Sequence, residues 1–252
     1  MKQLDNKVAI VTGGAGSIGK TTAKLFLEEG AKVLLVDLDE DSLKETVAEL
    51  GGKNVKYSVA DVTKSSDVQR YVSDAVKAFG KIDVFFNNAG IEGVVKPTVE
   101  YPEDQFDKVI AVNVKGVFLG NKYVLPQMND GGSMILTSSV AGITGSPNVT
   151  AYIASKHAVV GMMRNLAIEV APRKIRVNTI NPSPVDNRMM RSLEAGYAPG
   201  DAENMKKVFE NSIPLGRYAE PNEIAQLVLF LASDNSQFIT GTTQLIDGGM
   251  NA

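Results

Sequence analysis

The chain contains no cysteine and only one histidine, His157, in 252 residues. Without cysteine there is no disulfide framework, thiolate zinc site, iron–sulfur cluster or cysteine nucleophile. With one histidine, a multi-histidine metal site cannot be built, and a serine–histidine triad would rest on a single candidate. Long like-charged runs are also missing. Twenty-six basic residues against twenty-nine acidic ones give a net charge of −3, so no electrostatic footprint for nucleic acid or an anionic membrane is expected. The longest uncharged stretch, residues 131–155, is broken by Pro147 and several glycines and reads as strand, loop and helix start, not as a membrane span. The first residues carry Lys2, Asp5 and Lys7 where a secretion signal needs an apolar core. A cytoplasmic protein with a small-molecule partner and no metal is the expectation.

What is present is an alternation of short β-branched runs with longer helix-period segments. Residues 8–11, 32–36, 55–59, 82–86, 133–137 and 175–180 are the predicted strands, and helices are predicted near 18–29, 40–50, 65–79, 103–129 and 151–171. Several strands are nearly continuous apolar runs, as when helices cover both faces of a parallel sheet. The fold class is therefore α/β, a doubly wound parallel sheet within one domain spanning residues 1–252. Residues 186–212 depart from this rhythm: Met189, Met190, Leu193, Tyr197, Val208 and Phe209 are scattered among charges and interrupted by Ala198-Pro199-Gly200. Because this segment follows a strand end, where such folds bind ligands, it is read as a helical substrate lid.

Two constellations carry chemistry. After the first strand, Thr12-Gly13-Gly14-Ala15-Gly16-Ser17-Ile18-Gly19 leads into a helix. Such a turn lets the backbone approach a pyrophosphate, which then sits at the positive end of the helix dipole. Asp37 ends the second strand 18 residues after Gly19, where an acid accepts hydrogen bonds from an adenosine ribose. No Gly-Lys-Ser/Thr follows in P-loop spacing. Asp37 would repel the extra phosphate of NADP, Leu38 offers it no cation, and Lys20 is expected to point to solvent, so the cofactor is expected to be NAD. The second constellation is Tyr152-Ile153-Ala154-Ser155-Lys156. Residues four apart share a helix face, and a neighbouring ammonium is expected to lower the tyrosine pKa and fit it for proton exchange. His157 points off that face and is read as a packing or surface residue.

These residues together resemble the short-chain dehydrogenase/reductase family, in its branch of about 250 residues, from Lys7 to Ile246-Asp247-Gly248-Gly249. The turn is similar to the family's Thr-Gly-x-x-x-Gly-x-Gly, with Ser17 at the middle glycine, so Gly13, Ser17, Ile18 and Gly19 are the diphosphate candidates. Asp61-Val62 resembles the pair that flanks the adenine, and Asn87-Asn88-Ala89-Gly90 the element beside the cofactor ribose, giving Asp61, Val62, Asn88, Ala89 and Gly90. Asn113, Ser139, Tyr152 and Lys156 fall on the family's catalytic tetrad. Asn181-Pro182-Ser183-Pro184-Val185 resembles the stretch near the nicotinamide, with Ser183 for glycine and Asn187 where threonine is common, so Pro182 and Val185 join the cofactor set.

The resemblance implies a Rossmann-type NAD(H)-dependent oxidoreductase that interconverts a secondary alcohol and a ketone. It assigns Tyr152 as general acid/base, Ser139 as donor to the substrate oxygen, Lys156 as partner of Tyr152 and of the nicotinamide ribose, and Asn113 as holder of a relay water. It also implies a homotetramer, consistent with apolar or small residues on more than one face of the helix carrying Ala151, Ala154, Ala158 and Met162. Ile143, Thr144, Pro147 and the lid point to a compact, mainly hydrophobic pocket. A non-catalytic dinucleotide-binding regulator and an epimerase or dehydratase of the same family remain open.

Overall fold

The computed structural model describes residues 2–252. Seven parallel strands form one sheet in the order β3-β2-β1-β4-β5-β6-β7. They are β1 (Val8–Thr12), β2 (Lys32–Asp37), β3 (Val55–Val59), β4 (Ile82–Asn87), β5 (Met128–Thr137), β6 (Arg176–Pro182) and β7 (Thr243–Ile246). The alternation of side chains sends Ala9, Val11, Leu35 and Phe86 into one face and Ile10, Leu34, Phe85 and Met134 into the other. Both faces are buried, which explains the continuous apolar runs.

One face is covered by α1 (Ser17–Glu28), α2 (Glu40–Leu50) and α9 (Pro221–Ala232). The other is covered by α3 (Ser65–Phe79), α5 (Val117–Val124) and α6 (Thr150–Glu169). Each fully buried aliphatic side chain contributes roughly 1.5–3 kcal/mol. These two apolar layers therefore hold the sheet, and its carboxyl-terminal loops are left for binding. The chain leaves β1 toward β2 on one side and enters β4 on the other. The loops after these two strands therefore diverge and open a crevice at their carboxyl ends.

Three elements differ from the sequence expectation. The helix predicted over 103–129 is α4 (Glu103–Ile110), a π-helical segment (Ala111–Gly116) and α5, and the tail of that range belongs to a short 3-10 turn and the start of β5. Pro126 sits inside that closing turn, where an α-helix cannot continue. The helix α9 and the edge strand β7 have no counterpart among the predicted elements. Residues 186–212 form α7 (Arg188–Tyr197) and α8 (Ala202–Asn211). Their rings Tyr197 and Phe209 meet edge-on with centroids 5.5 Å apart. Met190, Ile213 and Tyr218 form a small core of their own beneath this hairpin.

Candidate active site

The Gly-rich turn stands at the crevice. Gly13 has φ of 64°, and a Cβ there would lie 3.0 Å from Asn88 Nδ2. A Cβ at Gly19 would collide with the Gly13 carbonyl. The turn thus requires glycine at both positions, at one for conformation and at the other for close packing of the helix on the loop. The end of α1 that follows has no side-chain cap and no acid in its first turn, which leaves the N–H groups at Ser17, Ile18 and Gly19 as an open positive end. Ser17 is exposed and Ile18 half-buried. Asp37 is the far wall: its carboxylate accepts from Ala15 N at 3.1 Å and Leu38 N at 2.8 Å. Lys20 does not run free to solvent as expected but pairs with Glu49.

The loop after β3 brings Asp61 and Val62 to the same crevice. The Asp61 carboxylate accepts from Thr63 N and Thr63 Oγ1, at 3.0 and 2.7 Å. Partial burial works against its charge, yet these bonds and Lys64 hold its pKa below the ordinary carboxylate value. Val62 packs against Gly116 of the π-helical segment, where a Cβ would lie 2.9 Å from it. Asn88 ties three strands together: its N–H donates to Thr12 Oγ1 at 2.9 Å, its amide donates to Thr12 O at 3.1 Å, and its carbonyl accepts from Thr137 Oγ1 at 3.0 Å. Thr12 Oγ1 also accepts from Ala89 N at 3.1 Å. Gly90 faces Asn113 Oδ1 and Lys156 Nζ, which lie 3.3 and 3.4 Å from the position of a Cβ.

The four expected catalytic residues converge here from three elements. Asn113 comes from the π-helical segment and is almost fully buried. Such widened turns recur at functional sites. Tyr152 and Lys156 share one face of α6, with Lys156 Nζ 5.4 Å from the tyrosine ring centroid. Ser139 follows β5; its hydroxyl accepts from Ala141 N at 3.2 Å and donates to Pro182 O over a long 3.3 Å. Gly142 lets this turn sit on α6, since a Cβ there would collide with Ser138 Oγ and lie 2.9 Å from the Lys156 carbonyl oxygen. Val159, Val160 and Met163 continue α6 into the core, and His157 is exposed.

The electrostatics correct one expectation. The Tyr152 pKa is raised, not lowered. Burial pushes the phenol up to about 12; the Ser139 hydroxyl opposes the rise and the Glu92 charge adds to it. Burial likewise pushes the Lys156 ammonium down to about 8, and its hydrogen bond goes to Thr137 O at 2.9 Å. Near neutral pH the tyrosine therefore holds its proton, as a general acid must.

The end of β6 and the loop after it complete the site. Asn181 donates to Ser139 O at 2.7 Å and so fixes Pro182 beside Ser139. Val185 is buried and bridges to Ala219. The departure at Asn187 has a local reason: its side chain accepts from Met190 N at 3.1 Å and caps α7. Tyr197 of α7 donates to Pro147 O at 2.6 Å, so α7 lies against the rim beyond Ser139. Sequence reasoning assigned no role to two residues of the site. Thr12 is one, a hydroxyl at a strand end. Glu92 is the other, an acid in the apolar run Ile91 to Val95 that is buried beside the site.

Comparison with known proteins agrees with this geometry. The family model described as enoyl-(acyl carrier protein) reductase matches residues 13–251. Levodione reductase of Leifsonia aquatica is 40% identical over 256 residues, covering 98% of this chain and 95% of that protein. The 3-oxoacyl-(acyl-carrier-protein) reductase FabG of Thermotoga maritima is 41% identical over 253 residues, covering 98% and 99%. Among solved structures, NAD+-bound xylitol dehydrogenase superposes with a TM-score of 0.92 at 35% identity, covering 98% of this chain and 100% of that one. The chain belongs to the short-chain dehydrogenase/reductase family of oxidoreductases.

Proposed function

We propose that this chain is an NAD(H)-dependent dehydrogenase that interconverts a secondary alcohol and a ketone, with Tyr152 as general acid/base. The observation that carries this reading is the meeting of the Tyr152 phenol, the Ser139 hydroxyl and the Lys156 ammonium at the carboxyl end of the sheet, beside a glycine turn whose helix is left uncapped.

The residues fit a dinucleotide. Gly13, Ser17, Ile18 and Gly19 would hold the diphosphate, Asp37 the adenosine ribose, Asp61 and Val62 the adenine side, and Asn88, Ala89 and Gly90 the second ribose with Lys156. Pro182 and Val185 would wall the nicotinamide. When bound, the nicotinamide supplies or accepts the hydride. In the reductive direction Tyr152 gives its proton to the carbonyl oxygen as that oxygen gains negative charge, and Ser139 donates a hydrogen bond to the same atom. Ser139 is available for this because its present bond to Pro182 O is long. Lys156 stabilises the tyrosinate left behind, and Asn113 serves the proton path from Lys156 to solvent. In the oxidative direction the same groups act in reverse.

Helices α7 and α8 are the substrate lid of one catalytic domain. Exposed Phe118 and Ile168 on one side of the sheet, and Phe230, Phe238 and Leu245 near α9 and β7, support a homotetramer with two kinds of contact. No described helix is long and apolar enough to cross a membrane; the reading places the enzyme in the cytoplasm. A panel of ketones and alcohols assayed with both nicotinamide cofactors tests the reading. Substrate-dependent turnover of NAD(H) is the expected result. Binding of NAD(H) with no turnover across the panel would leave the regulator or epimerase readings instead.

A further inference from the structure

A carboxylate stands where an apolar substrate pocket has no use for one. Glu92 is 6% exposed, two residues beyond Gly90. The backbone between them is held by Asn113, which accepts from Ile91 N and donates to Ile91 O, each at 2.8 Å. Across the crevice, Glu92 meets Arg188, the first residue of α7, with bonds of 3.1 and 3.4 Å. Among the described residues this is the one ion pair that joins the α7–α8 hairpin to the loop after β4.

The pairing is incomplete. Arg188 is 76% exposed at its side chain, and a carboxylate with two oxygens can accept about four hydrogen bonds. Glu92 receives two, one of them long. Glu194, buried elsewhere in the hairpin, is held more tightly, by Tyr218 Oη at 2.8 Å and Arg191 at 3.0 Å. A buried, under-bonded carboxylate is unfavourable unless something else donates to it. Gly90, two residues before it, faces Asn113 Oδ1 and Lys156 Nζ, so Glu92 stands on the loop that borders the Tyr152–Lys156 site.

We propose that Glu92 is a specificity-determining residue that accepts a hydrogen bond from a second hydroxyl of the substrate, next to the carbon that reacts, so that the preferred substrates are vicinal diols and the corresponding hydroxyketones. This inference rests on the alcohol–ketone reading of the site. A site built to bind a hydroxyl discriminates against the analogue that lacks it, because the acceptor is then left unpaired. Arg188 occupies only part of the carboxylate and leaves acceptor positions open.

Binding to the NADH-loaded protein tests this without turnover, because an alcohol cannot react with reduced cofactor. Calorimetry would compare cis-1,2-cyclohexanediol with cyclohexanol. The wild type is expected to bind the diol about tenfold more tightly, a difference of about 1.4 kcal/mol. Glu92→Met is expected to abolish that preference while holding cyclohexanol within about twofold, and Arg188→Met, at an exposed position, is expected to retain it. No diol preference in the wild type overturns the proposal by itself, whatever the variants do. Loss of the preference in both variants alike would assign the effect to attachment of the hairpin and overturn it too. Failure of both alcohols to bind, with NADH bound normally, would instead defeat the alcohol–ketone reading on which the proposal rests.

Discussion

The Asn113 side chain clamps the backbone of Ile91, accepting from its N–H and donating to its carbonyl at 2.8 Å each, while a third bond of 3.0 Å runs to Ser155 Oγ. One buried amide thereby joins the loop after β4 to α6. Asn113→Leu keeps the volume but strands the Ile91 peptide groups, so it is expected to lower stability by about 2–3 kcal/mol, read as a fall in the urea midpoint. An unchanged midpoint would mean that the clamp is not what holds the loop.

Lys156 carries a pH signature. Its pKa in the folded chain is about 8, against 10.5 for an unperturbed lysine. The unfolded chain therefore binds more protons between these values, and stability from this group rises as pH climbs through that window. Below it, the buried charge is a constant burden. Relative to Lys156→Met, the wild type is expected to gain about 2 kcal/mol between about pH 7 and about pH 10. Denaturant titrations of both proteins across that range check the slope. Parallel curves would show that the ammonium is not desolvated.

Asp37 is expected to govern the choice of cofactor. Its carboxylate is anchored by Ala15 N and Leu38 N, Leu38 is exposed beside it, and Lys20 is engaged with Glu49. Neither Leu38 nor Lys20 therefore offers a free cation to a ribose phosphate there. NAD is expected to be preferred over NADP by at least about tenfold in kcat/KM. Asp37→Ser with Leu38→Arg is expected to move the ratio toward NADP, although affinity for both should fall because Ala15 N loses its acceptor. A ratio that does not move would exclude Asp37 as selector.

Light scattering at micromolar concentration is expected to give the mass of four chains. Phe118→Glu, which places a charge on an exposed apolar site, is expected to reduce that mass. A monomeric wild type would contradict the assembly.

Much of this arrangement was legible in the residues. The buried strands read as apolar runs because both faces are covered, and Tyr152, Lys156 and the Gly-rich turn were found from spacing alone. Asn113, Ser139, Asn88 and Pro182 came from resemblance, since their roles depend on partners far along the chain, such as Thr137 for Asn88. Helix α9 carries its own start signal, Pro221 with the reciprocal bonds of Glu220 and Glu223, and was readable. Strand β7 was not, because its Thr243–Ile246 run is short and only partly buried at the sheet edge. The rise in the Tyr152 pKa was illegible for a different reason: sequence spacing shows that a lysine is near, but only three-dimensional burial decides that desolvation outweighs it.

The central claim is that the Tyr152 hydroxyl moves the proton. The direct test is steady-state turnover of Tyr152→Phe, followed by the absorbance of reduced nicotinamide, alongside titration of NADH binding. The variant is expected to keep its NADH affinity and to lose about a hundredfold or more in kcat; a kcat above about a third of the wild-type value, a loss far below that scale, would contradict the assignment.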